Sequence, residues 1–104
     1  MTGADDGAPR DSDAAVLRRA LVICNKRGLH ARAAAKFVTL AERFGASVEV
    51  EKDGQSVSAR SIMGLMMLGA GLGATISVSA EGWDAKEALD ALSALVEAGF
   101  HEQD

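Results

Sequence analysis

Two short segments, residues 46–52 (ASVEVEK) and 75–80 (TISVSA), alternate apolar and polar residues. This alternation constrains the fold more than any other feature. Successive side chains of a strand point to opposite faces, so Val48 and Val50 are expected on a buried face and Glu49 and Glu51 on a wet one. Ile76 and Val78 repeat the pattern. Strands with one wet face belong to antiparallel sheets whose helices cover only the other side.

The remaining elements fit around such a sheet. Residues 17–24 (LRRALVIC) have strand-like composition in their second half, and NKRG breaks them. Ala34, Phe37, Val38, Ala41 and Phe44 then fall at helical spacing on one face, with Lys36, Glu42 and Arg43 elsewhere. Gly45 stands where a helix end takes a residue at positive φ. Asp53 and Gly54 predict a hairpin turn into a short strand, QSVS. Ser61 opens an apolar segment, SIMGLMML, which the glycine-rich GAGLG ends. Asp84 with Glu87 resembles a capping box, and the last helix is expected to bury Leu89, Leu92, Val96 and Phe100. The order βαββαβα predicts an α+β open-faced β-sandwich: a four-stranded antiparallel sheet with three helices packed on one face. Residues 17–104 are expected to form one domain. Residues 1–16, rich in Asp, Gly and Ala, read as a disordered leader.

With 104 residues, 48% hydrophobic content and four aromatic side chains, the core must be thin and aliphatic, with room for one surface site. The net charge of −4 repels nucleic acid and anionic membranes, although Lys26, Arg27 and Arg32 could form a local basic spot. No run approaches the ~20 apolar residues of a membrane span, and no secretory signal opens the chain, so a cytoplasmic location is expected. A single cysteine, Cys24, excludes an internal disulfide and reads as a buried, inert thiol. His101 reads as a solvated tail residue with no second histidine at metal-ligand spacing, so no metal is expected. GLGA lacks the Gly-Lys-Ser/Thr ending of a phosphate-binding loop, and no cofactor is expected. Trp83 is expected to pack its ring over the start of the last helix.

Chemistry concentrates in residues 28–38, GLHARAAAKFV. Here a single imidazole, His30, stands where a glycine-broken turn enters a helix, with Arg32 two residues on. Backbone N–H groups at a helix start lack intrahelical acceptors and carry the positive end of the dipole, so an anionic group attached to His30 would find donors waiting. The arrangement suits a histidine that carries phosphate. Ser61 is placed to cap the second helix. On that helix Leu65 and Leu68 are the better candidates for burial, while Ile62, Met63 and Met66 offer an adaptable apolar face.

Two segments, GLHARAAAKFV and SIMGLMMLGA, with AEG at residues 80–82, carry a resemblance to the HPr family, histidine-containing phosphocarriers of the bacterial phosphoenolpyruvate-dependent phosphotransferase system. The resemblance implies that enzyme I passes phosphate to Nδ1 of His30, which hands it to EIIA-type domains of sugar permeases or regulatory proteins. His30 would be the phosphoryl acceptor, with Arg32 and the backbone N–H groups of Ala31 and Arg32 binding the phosphoryl oxygens. The helix start and Arg32 favour a neutral, nucleophilic ring. The resemblance further implies a regulatory phosphate on Ser61 added by an HPr kinase/phosphorylase, partner docking through Ile62, Met63 and Met66, and a monomer that keeps this face open. The family commonly has proline where this chain has Ala33, so the first helical turn is less constrained here and carries one more donor. An alternative is a regulatory binding module switched at Ser61 with no histidine relay. Either way the chain reads as a relay, not an enzyme.

Overall fold

The computed structural model describes residues 15–102. Four strands, β1 (Val16–Val22), β2 (Ser47–Lys52), β3 (Gln55–Ser58) and β4 (Thr75–Glu81), form one sheet in the order β1-β4-β2-β3. Every neighbouring pair is antiparallel, with Val16 opposite Glu81, Ser47 opposite Glu81 and Lys52 opposite Gln55. The helices are α1 (Ala31–Ala41), α2 (Ile62–Met67) and α3 (Ala85–Glu97), followed by a 3-10 turn, Gly99–His101. This is the expected α+β open-faced sandwich. Except for Val16, the first of the strand residues, and Ala15, the expected leader lies outside the described residues.

The alternating strands bury the side they were expected to bury. Val48, Val50, Ile76 and Val78 face the helices, whereas Arg18, Glu49, Glu51, Ser77 and Ser79 line the open face. Apolar residues three and four apart give α1 a stripe of Ala33, Ala34, Phe37, Val38 and Ala41 that completes the core with Leu65, Leu89, Leu92 and Val96. Leu65 and Leu68 are the buried residues of the α2 region, as expected. Asp53 and Gly54, at φ of 52° and 82°, form the hairpin between β2 and β3; positive φ at both central residues matches the twist of the strands.

Five local expectations are corrected. Gly45 is not at positive φ, because α1 ends at Ala41 with Glu42 as its cap. A Cβ at Gly45 would meet the Trp83 indole Nε1 at 2.8 Å, so close approach is what requires glycine there. Trp83 is 81% exposed and lies along this backbone, off the start of α3. Asp84 makes no side-chain cap to α3; its carboxylate accepts from the backbone N–H groups of Gly45 (2.9 Å) and Ala46 (2.8 Å), fastening the entry to β2. Cys24 is exposed, because β1 ends at Val22 and the alternation through Ile23 turns the thiol outward, with its Sγ 3.3 Å from the Val96 carbonyl. Finally, Phe100 is buried as expected, but it lies beyond α3, in a turn whose Gly99, Phe100 and His101 all have φ near +60°.

Candidate functional site

His30 is held in place by the chain before it. Gly28 has φ of 66°, and a Cβ there would strike the Ala70 carbonyl oxygen at 2.5 Å. Only glycine lets the backbone turn so close. Leu29 N–H then bonds that same carbonyl at 2.8 Å and its side chain is buried, so the loop after α2 and the loop before α1 are fastened together beneath His30.

His30 is the N-cap of α1, in extended conformation, and its carbonyl accepts from Ala34 N–H at 2.8 Å. Its Nδ1 accepts from Arg32 N–H at 3.3 Å, a long contact that caps one of the helix's unpaired donors. Ala31 and Ala33 N–H also precede the first intrahelical bond, so three donors gather where the dipole is positive. Ala31 and Arg32 are exposed, whereas Ala33 is fully buried. The Arg32 side chain lines a groove along α1 with Lys36, Arg43 and His101 around Leu40 and Leu95. The basic surface therefore runs along α1, and His101 is exposed as expected.

The other ring nitrogen, Nε2, contacts a carboxylate oxygen of Glu102. A backbone N–H can only donate, so Nδ1 is the unprotonated acceptor and Nε2 carries the proton that faces Glu102. The second carboxylate oxygen accepts from Asn25 Nδ2 at 3.1 Å, and that amide also donates to the Gly28 carbonyl at 2.8 Å. The bond from His30, helped by Asn25, holds the Glu102 carboxyl below the usual carboxylate range against the opposing effect of burial. Lys36 Nζ donates to the Phe100 carbonyl at 2.6 Å, securing the turn that delivers Glu102. Asn25, Lys36 and Glu102 were absent from the sequence reading. Glu102 lies 72 residues from His30, and no spacing rule links them.

Ser61 is the N-cap of α2: its hydroxyl accepts from Gly64 N–H at 2.9 Å, and its carbonyl from Leu65 N–H at 3.0 Å. Beside it Ile62, Met63 and Met66 are exposed, Met63 by 69%, and Met67 and Leu72 extend the apolar surface. Because the Ala70 carbonyl anchors Leu29, this face and His30 belong to one end of the molecule.

An imidazole with a free-facing nitrogen at a helix start, an arginine beside it and an apolar surface next to it define a histidine-based carrier more than a closed active site. Comparison with known proteins agrees. Residues 17–98 match the family model described as the PTS HPr component phosphorylation site. Over 87 residues the chain is 48% identical to the phosphocarrier protein HPr of Cupriavidus necator, covering 84% of this chain and 98% of that protein. It is 49% identical over 86 residues to the phosphocarrier protein NPr of Shewanella violacea, covering 83% and 94%. The crystal structure of HPr-C-His from Thermoanaerobacter tengcongensis superposes with a TM-score of 0.81 at 46% identity, covering 85% of this chain and 99% of that one. The chain belongs to the HPr family of phosphocarriers of the phosphotransferase system. It is a carrier and not a catalyst.

Proposed function

We propose that Nδ1 of His30 accepts a phosphoryl group from phosphorylated enzyme I and passes it to EIIA-type acceptor domains. The observation that carries this reading is the place of Nδ1, an unprotonated nitrogen turned toward the N–H groups that open α1. Its lone pair attacks phosphorus as the bond to the donor breaks, and the reverse motion delivers the group to the acceptor. The contact from Arg32 N–H, at 3.3 Å, is long enough to be given up at little cost. The N–H groups of Ala31 and Arg32 and the Arg32 guanidinium then bind the phosphoryl oxygens. These donors are exposed, which suits a group that must be released again.

In this reading Ile62, Met63 and Met66 dock enzyme I and the acceptors in turn, and the protein works as a cytoplasmic monomer. Ser61 is the site of an HPr kinase/phosphorylase. A phosphate on its oxygen takes the place of the hydroxyl that caps Gly64 N–H and adds negative charge beside the docking face, opposing acidic partners. The test is intact-mass and phosphorus NMR analysis after incubation with enzyme I and phosphoenolpyruvate, with His30→Ala in parallel. An acid-labile, nitrogen-linked phosphate lost in the variant supports the carrier. A parent that stays unmodified, while HPr kinase and ATP add an acid-stable phosphate lost in Ser61→Ala, would replace it with the regulatory module.

A further inference from the structure

We propose that Glu102 is the positioning residue of His30: its carboxylate holds the Nε2 proton, fixes the plane of the ring and balances the charge the ring acquires when Nδ1 is phosphorylated. The proposal rests on the reading that His30 takes phosphate at Nδ1.

The contact is built, not incidental. A flexible chain end would not hold a carboxylate at one ring atom, yet here the segment before Glu102 is fixed by several devices. Phe100 is fully buried among core residues and anchors the turn. Lys36 Nζ holds the Phe100 carbonyl, and Glu102 N–H bonds the Gly99 carbonyl at 3.1 Å. Phe100 and His101, both at φ of 58°, occupy the left-handed region that residues with a Cβ avoid. Such backbone strain persists only where surrounding contacts over-determine it, and it gathers at functional sites. Its effect is to turn the chain back so that Glu102 reaches His30. The side chains of His30 and Glu102 are 19% and 11% exposed, so the pair is shielded from water although Nδ1 sits at the surface-facing helix start. Asn25, buried, orients the carboxylate through Nδ2 and has its own Oδ1 without a hydrogen-bond partner. A buried amide left with an unused acceptor is tolerated where its donor end has a task.

The chemistry follows from the proton. When Nδ1 donates its lone pair to phosphorus, the ring becomes a phosphorylated imidazolium with the proton still on Nε2. When the phosphoryl group leaves, the electron pair returns to Nδ1 and the ring is neutral again. No proton moves in either direction. Glu102 meets a neutral N–H before transfer and a cationic one after it, so its bond strengthens as the phosphoryl group arrives.

The experiment compares the full chain with Glu102→Ala and Glu102→Gln by proton and nitrogen NMR of the His30 ring, and by the rate of phosphate uptake from enzyme I. In the parent the Nε2 proton is expected as a downfield resonance slow to exchange with water. Glu102→Ala loses that resonance and slows uptake by about tenfold or more, the scale of a charge-assisted hydrogen bond. Glu102→Gln, whose carbonyl still accepts, recovers the resonance and part of the rate. A merely structural residue would not show this graded recovery at one ring proton. An alanine variant that keeps both the resonance and the parental rate overturns the proposal, as does a glutamine variant indistinguishable from alanine. A parent that takes no phosphate refutes the carrier reading instead, and the ring resonance, which needs no phosphate, then decides the positioning role.

Discussion

The two nitrogens of His30 have different neighbours, a helix-opening N–H at Nδ1 and the Glu102 carboxylate at Nε2, and the behaviour of the site follows from that asymmetry. Ala33 belongs to the same turn. It precedes the first intrahelical hydrogen bond, so a proline there sacrifices no helical partner. Ala33→Pro is expected to fold and to raise stability by about 0.4–1 kcal/mol through the unfolded chain, read as a higher denaturation midpoint. A fall of that size would mean that the buried site cannot hold the ring. Acid should act through Glu102. Its folded pKa lies below the unfolded one, so its contribution is fully present above the unfolded value and is lost as pH falls through the folded value. Urea midpoints between about pH 6 and about pH 3 should therefore fall more steeply for the parent than for Glu102→Gln; parallel curves would contradict this. His30 and Arg32 were legible from local motif grammar. Glu102 was not, because its role arises only when the last turn folds back.

At the scale of elements, the two helix starts that resembled caps diverge. Ser61 does cap α2, and Ser61→Ala should cost about 1 kcal/mol in thermal or chemical unfolding, a loss that separates its structural role from its phosphorylation. Asp84 instead holds the N–H groups that lead into β2. Asp84→Ala should cost about 2 kcal/mol or more, since Ala46 is buried and its N–H would be left unpaired, whereas Asp84→Asn, which keeps an acceptor, should lose less. Equal losses would show that shape, not hydrogen bonding, matters there. The sequence pattern Asp84 to Glu87 could not distinguish these uses, because a carboxylate beside a helix start finds donors in either direction. The Trp83 indole shows the same limit: its neighbour is Gly45, at the far end of a different helix.

At the scale of the whole molecule, Phe100 joins core and site. Phe100→Ala should destabilise the protein by about 3–5 kcal/mol and also loosen Glu102. Loss of the His30 ring resonance while the rest of the fold remains assigned would show that coupling directly. The sheet, three helices, hairpin and buried stripes were readable because periods of two and of 3.6 residues record which face each element buries. The chain therefore determined its element types, their one-sided packing and a histidine at a helix start beside an arginine by local rules alone. Tertiary structure alone decided the strand order β1-β4-β2-β3, the outward turn of Cys24, the task of Asp84 and the meeting of Glu102 with His30. Those outcomes depend on contacts between residues distant in sequence, whose free energy exists only once the layers have packed and water has been excluded between them.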